Sequence, residues 1–228
     1  AGWHVVIHYR SSGAEAAALA EELPSAETIQ ADLAEDGAPD ALVRGLADRL
    51  QDWRCLVNSA AVFKPDDVTG LDPANFDTAM SVNARAPAML AQSYLAHARA
   101  PLGRRVIQVT DQKLANPNPD FFSYTMSKHA VDSAIRMLAM GATSPQDRVY
   151  GLAPGAILPS HDQSDDEAER SHLLNLRRRR TTPQDVAEAA VFLASGDLAS
   201  GETLFVDSGQ HLLSQPRDVI YLEREGVR

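Results

Sequence analysis

The chain has 228 residues, 44% of them hydrophobic and 23% charged, and its 31 acidic against 21 basic side chains leave a formal net charge of −10. That length and mixture suit one α/β-sized soluble domain with a full core, and the negative balance argues against a nucleic acid or an anionic membrane surface as the main partner. No run approaches the roughly 20 apolar residues of a membrane span, no secretory signal is read, and a single cysteine leaves no internal disulfide, so the cytoplasm is the expected compartment.

Trp3 to Tyr9 (WHVVIHY) reads as a strand. It starts at once, with no methionine ahead of it, so a preceding segment is expected. Arg10, Ser11 and Ser12 follow as a donor set suited to a phosphate, and then an Ala-rich helix from about Ala14 to Leu23 that Pro24 stops. Thr28 to Gln30 is a short strand, and in the loop Ala31-Asp32-Leu33 the Asp32 carboxylate either caps the turn or accepts from a bound ring. A helix is expected from about Pro39 to Leu50.

Arg54 to Val57 is a buried strand in which Cys55 is an inert, packed thiol. It runs into Asn58-Ser59-Ala60-Ala61-Val62-Phe63. Small residues directly after a strand let a flat ligand approach the backbone, with Phe63 placed either to stack on it or to pack. Asp72 and Pro73 open a long helix to about Arg99. Asn83 lies awkwardly in its middle, where it binds water or backbone in a cleft or satisfies a local carbonyl, and Pro87 is expected to bend the helix just beyond.

Arg105 to Thr110 (RVIQVT) is the next strand, followed by a helix over Phe121 to Met140 whose Ala130, Val131, Ala134, Ile135, Leu138 and Ala139 recur at the 3.6-residue period. Tyr124 and Lys128 stand four apart and share one face. An ammonium beside a phenol favours phenolate, which predicts a tyrosine pKa drawn down from about 10 and a general acid or base near neutral pH. Arg148 to Leu152 forms a strand that runs into Ala153-Pro154-Gly155. Strand, helix, strand is the unit of a parallel sheet with its functional loops at the carboxyl ends. Ala156 to Asn175 is expected to be a mobile flap over a ligand, Arg177 to Arg180 a solvated helix end, and Thr182 to Asp185 the opening of a helix through Val186 to Ala194. Glu202 to Val206 is the last strand, and the tail Gln210 to Arg228 has no assignable partner.

In this order the motifs resemble those of the short-chain dehydrogenase/reductase family. Asn58-Ser59-Ala60-Ala61 stands at the family's Asn-Asn-Ala-Gly turn, Asn83 at its helix asparagine, Tyr124 and Lys128 at its catalytic pair, and Pro154-Gly155 and Val206-Asp207-Ser208-Gly209 at its later motifs. The resemblance implies a Rossmann-type doubly wound parallel sheet in a single domain. The family's first strand and Gly-rich turn are not found, so a fragment lacking roughly the first βα unit, on the order of 30 residues, is expected. It also implies that Arg10, Ser11, Ser12, Asp32, Leu33, Asn58, Ala60, Lys128, Pro154 and Gly155 bind the cofactor, with Arg10 and its serines favouring NADPH over NADH. Asn83 would anchor a proton-relay water, and Lys128 would hold the nicotinamide ribose.

Where the family normally has a serine, thirteen residues before the tyrosine, this chain has Asp111. Thr110 is no easy substitute, since neighbours on a strand face opposite ways. An ionised carboxylate only accepts hydrogen bonds, so it suits ketone reduction badly and suits a substrate rich in N–H groups. That set, with Phe63 to sandwich a ring, looks like the pteridine reductase branch, close to dihydromonapterin and dihydrofolate reductases. The expected function is thus NADPH-dependent reduction of a pterin-like heterocycle, with Asp111, Tyr124, Lys128 and Asn83 as catalytic residues and Phe63, Asp111 and Tyr124 on the substrate. The alternatives are a general carbonyl or 3-oxoacyl reductase and a degenerate non-catalytic relative. No metal is expected. Family resemblance suggests a homotetramer packed through the two long helices.

Overall fold

The computed structural model describes residues 2–160, 162–196 and 198–226. Parallel strands alternate with helices: β1 (Val5–Tyr9), α1 (Gly13–Glu22), β2 (Ala26–Gln30), α2 (Ala38–Ala47), β3 (Cys55–Asn58), α3 (Pro73–Ala79), α4 (Ala86–His97), β4 (Arg105–Val109), α5 (Phe122–Gly141), β5 (Arg148–Pro154), α6 (Asp165–Ser171), α7 (Pro183–Ser195), β6 (Thr203–Val206) and α8 (Val219–Glu225). This is an α/β Rossmann-like fold, with parallel sheets flanked by helices. Among the described residues no helix is long and apolar enough to cross a membrane.

The sheet lies in two pieces, β1–β2 and β3–β4–β5–β6, with every pairing parallel. β4 and β5 hold its fully buried positions, as strands covered on both faces should. Their side chains alternate between two cores. Val106 and Val149 enter a cluster with Val43, Leu90, Tyr94 and Ile135 from α2, α4 and α5, whereas Ile107, Tyr150 and Leu152 join Leu193 of α7 on the other face.

The helix expected from Pro73 to Arg99 is broken. Asp72 caps α3 by accepting from the Ala74 and Asn75 N–H groups at 3.0 and 3.4 Å, but a widened π-helical turn over Met80–Arg85 separates α3 from α4. Pro87 has no N–H to give the carbonyl four residues back, that of Asn83, and a turn with one extra residue absorbs the mismatch. The expected bend beyond Pro87 is therefore replaced by a wide turn before it. That turn puts Asn83 in the interior, 2% exposed.

Candidate active site

The carboxyl ends of β3, β4 and β5 and the first turns of α5 meet at a cleft of about 330 Å³. Asp111 stands two residues past the end of β4 and caps a short 3₁₀ turn, its Oδ1 accepting from the Lys113 N–H at 2.8 Å. Tyr124 Oη donates to Asp111 Oδ2 at 2.9 Å, and Lys128 Nζ donates to the Val109 carbonyl at 2.7 Å. Tyr124 and Lys128 do share one helix face, with Lys128 Nζ 5.5 Å from the phenol ring centre.

The electrostatics of this trio differ from the expectation. Burial first, and the Asp111 carboxylate second, push the Tyr124 phenol well above its ordinary value, so it is not drawn down toward neutrality. Burial also lowers Lys128 to about 8, with Asp111 opposing. Asp111 is itself raised by burial, against the pull of Lys113, its N–H, the Tyr124 hydroxyl and Lys128. The physical reason is that desolvation outweighs one charge 5.5 Å from the ring. The result is a phenol that keeps its proton, resting on a carboxyl group whose proton affinity is enhanced.

The Asn83 side chain is engaged with protein groups. Its Oδ1 accepts from the Val62 N–H at 2.7 Å, and its Nδ2 donates to the Val62 carbonyl at 2.9 Å and to Ser127 Oγ at 3.0 Å. With those groups engaged it is a positioning residue, fixing the loop that carries Phe63 against the helix that carries Tyr124. Asp66 adds a second tie between them: it accepts from the Ser123 N–H at 3.1 and 3.2 Å and from Ser123 Oγ, capping α5 from outside.

Phe63 lines the cleft, and it packs there by stacking on Phe121 at 4.1 Å and meeting Tyr124 edge-on at 4.7 Å. Thr110 is buried, and its hydroxyl turns to the Leu152 carbonyl at 3.3 Å. Pro154 and Gly155 border the cleft as expected, and a Cβ on Gly155 would come within 2.8 Å of the Asp207 side chain. After β3 it is Ser59 and Ala61 that reach the cleft, not Ala60. Asn58 turns its amide to the Pro87 carbonyl and Gln108.

The remaining expected cofactor contacts lie at the ends of β1 and β2. The Arg10 side chain, Ser11 and Ser12 are exposed, and Ser12 precedes α1 without a side-chain capping bond. Asp32 caps its own turn, its Oδ1 accepting from the Ala34 N–H at 2.9 Å. Leu33 is 7% exposed and packs into the core, leaving only its backbone for a cofactor. Burial pushes the Cys55 thiol up to about 12, the direction that a packed, inert thiol requires.

The tail has a partner after all. Asp218 pairs with Lys113 Nζ at 2.7 Å, and Arg217 pairs with Asp120 at 2.8 Å. α8 is tied to α6 through Arg170–Glu223 and Arg224–Glu167, and to the loop ahead of it through Arg224–Asp162. The expected flap thus contains a helix with a capping box at Ser164 and Glu167, held by the tail, and Asp218, Val219 and Ile220 complete the cleft wall. Arg177–Arg180 is loop, not a helix end: Arg178 is left-handed, Arg179 pairs with Asp185 and Arg180 with Glu169. Lys113 and Asp218 were missed in the sequence because they lie far apart in it. Asp218 alone carried a signal, an Asp ahead of the apolar Val219-Ile220.

A family model described as enoyl-(acyl carrier protein) reductase matches residues 1–211. The chain belongs to the short-chain dehydrogenase/reductase family. Among solved structures it is similar to FolM alternative dihydrofolate reductase 1 from Brucella canis, complexed with NADP, at 32% identity and a TM-score of 0.86, covering 95% of this chain and 87% of that one. It is also similar to the angucycline C-6 ketoreductase LanV with bound NADP, at 29% identity and a TM-score of 0.82, covering 92% and 86%. Pteridine reductase 1 of Leishmania tarentolae is 28% identical over 257 residues, 92% of this chain and 89% of that protein. Pterin-type and ketone-type reductases of the family are therefore about equally similar in sequence.

Proposed function

We propose that the protein is an NADPH-dependent reductase of a pterin-like heterocycle, acting on a ring C=N bond. The observation that carries this reading is Asp111, a cleft carboxyl group 2.9 Å from the Tyr124 hydroxyl where a ketone reductase of the family would present a serine hydroxyl. A carboxyl group of raised proton affinity can accept from ring N–H groups as an anion and give a proton to a ring nitrogen as an acid. The similarity to pteridine reductase 1 and to FolM agrees with this choice.

The chain suits NADPH at two places. Arg10 projects an exposed guanidinium with no side-chain partner among the described residues, beside two free hydroxyls, as a 2′-phosphate requires. In the cleft, Ser59, Ala61, Pro154 and Gly155 leave room at the strand ends, and Lys128 stands ready for a ribose hydroxyl. The cofactor supplies the hydride. Tyr124 and Asp111 hold the proton that the substrate nitrogen takes, Lys128 keeps positive charge beside them, and Phe63 orients the ring.

In the same reading the domain contains a further parallel strand with a Gly-rich turn, joining β1 to β3. The interruption of the sheet between those strands supports it. The exposed Met126, Met137 and Met140 on α5 support a homotetramer packed through α4 and α5, and the cytoplasm remains the proposed compartment.

The test is a paired assay of the full-length enzyme and its Asp111→Ser variant on a dihydropterin and a small ketone. Asp111→Ser should lower kcat on the dihydropterin about 10²-fold, leave NADPH binding intact, and gain ketone turnover from the restored hydroxyl. Wild type that reduces the ketone well and the dihydropterin not at all would transfer the protein to the ketone reductases.

A further inference from the structure

Lys113 stands two residues past Asp111, is 3% exposed, and holds that carboxyl group through its backbone, whose N–H gives to Asp111 Oδ1 at 2.8 Å. Its ammonium is turned to other groups: Asp218 Oδ2 at 2.7 Å and the Asp120 carbonyl at 3.3 Å, with the Phe121 ring centre 4.9 Å away. Asp218 arrives from the tail and is fixed in turn, its N–H giving to Asp120 Oδ2 at 2.8 Å and its Oδ1 accepting from the Ile220 N–H at 3.1 Å. Lys113 and Asp218 border the same cleft as Asp111 and Tyr124, in a wall that also carries Val219 and Ile220. Stability alone is a poor reason for a buried ion pair in such a wall, because well-packed apolar residues of similar volume often serve as well or better.

We propose that Lys113 and Asp218 are a pair of positioning residues for the reaction: Lys113 orients Asp111 through its N–H and sets a positive charge beside it, and Asp218, brought by the tail, holds and balances that charge, so that Asp111 is ready for proton transfer only with the tail docked. The proposal rests on the reading of Asp111 as a proton carrier in the reductase cleft. At Asp111 burial raises the proton affinity, and Lys113 is the largest of the pulls against it; at Tyr124 burial and Asp111 lead the upward shift, and the Asp218 charge adds to it. Both members of the pair are thus felt at the two groups that would carry the proton. Tyr124 and Lys128 of α5 also face Asp111, while Asp120 ahead of α5, Tyr221 of α8 and His172 after α6 lie around Asp218. Asp120 is itself matched by Arg217 at 2.8 Å, which leaves Asp218 as the carboxylate paired with Lys113.

The Asp111 carboxyl can be followed directly, by carboxyl-carbon NMR titration of the full-length enzyme labelled at aspartate, with its resonance assigned by loss in Asp111→Asn. Lys113→Met removes the charge and keeps the backbone N–H, and should raise the Asp111 proton affinity about tenfold or more. Asp218→Asn keeps the shape and an acceptor for the ammonium but leaves its charge unbalanced, and should lower that affinity about threefold or more. In both variants the pH profile of kcat/KM should move in the same direction as the carboxyl titration. A pair that only ties down the tail would cost stability in urea unfolding and leave the Asp111 titration within about twofold of wild type, and that result overturns the assignment. If Lys113→Met fails to fold, Asp218→Asn carries the test, and an unmoved Asp111 titration in it is equally decisive against the pair. The titration needs no substrate, so it is separate from the choice of substrate. Wild type that turns over only ketones while the titrations move as expected keeps the pair and drops the heterocycle reading, whereas dihydropterin turnover with unmoved titrations drops the pair alone.

Discussion

β4 has a carboxylate near each end, Asp147 buried and Asp111 half-buried, and the two are treated in opposite ways. At the amino end, Asp147 is 3% exposed and accepts from Arg104 through the backbone N–H at 2.9 Å, Nε at 3.1 Å and Nη2 at 2.5 Å. Arg104 gives a further bond to the Leu95 carbonyl, so the pair ties the starts of β4 and β5 to α4. At the carboxyl end, Asp111 meets a neutral phenol and a backbone N–H, while the nearby Lys128 spends its hydrogen bond on the Val109 carbonyl. A buried carboxylate matched by a forked cation is fixed structure. One held by neutral donors keeps its proton affinity unsettled, and that is what a proton-transfer site needs.

The largest way to break this contrast is at the amino end. Asp147→Ala leaves the Arg104 guanidinium buried without its counter-charge and should cost about 3 to 5 kcal/mol of stability. Activity per folded molecule should be nearly unchanged, which thermal and urea unfolding measured beside specific activity would check. At the carboxyl end the signature reverses. Tyr124→Phe removes the hydroxyl from Asp111 and should lower kcat about 10²-fold or more, with a stability change below about 1.5 kcal/mol. A Tyr124→Phe protein that unfolds readily yet keeps its turnover would show that this end too is scaffold.

A third charge is matched by nothing within the described chain. The Arg10 guanidinium is exposed at the end of β1, and Arg10→Ala should leave stability alone while weakening NADPH by about 1.5 to 3 kcal/mol, the range of a hydrogen bond to a charged group. NADH should barely respond. Equal losses for the two cofactors, measured by titration calorimetry, would remove Arg10 from the phosphate site.

What could be read in the sequence follows the range of the interactions involved. The double-faced strands β4 and β5 and the Tyr124–Lys128 face are local patterns, and the structure places them within a residue or two of expectation. The caps at Asp72 and Thr182 are equally local. The π-helical turn was hidden because Pro87 signals a break without fixing which side of it gives way. The lid escaped because its ties join distant residues: Lys113 to Asp218, Arg217 to Asp120, Arg170 to Glu223. The direction of the Tyr124 shift failed for the same reason. Spacing gives the neighbouring charge but says nothing of how much water the fold removes, and here burial is the larger cause.

Lys128 offers the finest test of the contrast, through pH alone. Its pKa is lowered to about 8 because burial penalises the ammonium, so the charge is present below that pH and is lost as pH rises through it. Tyr124 does not produce a loss in this range, since its pKa is shifted well upward. If the ammonium stabilises the transferring pair, kcat/KM should fall on the alkaline side with an apparent pKa near 8. One unit above that value the loss is about tenfold, or 1.4 kcal/mol. Lys128→Arg supplies the control, because a guanidinium stays charged throughout the range. The variant should be slower at every pH, from its different shape, but its profile should lose the alkaline limb. A limb retained at the same pH in Lys128→Arg would assign the titration to another group and leave Lys128, like Arg104, as a fixed part of the frame.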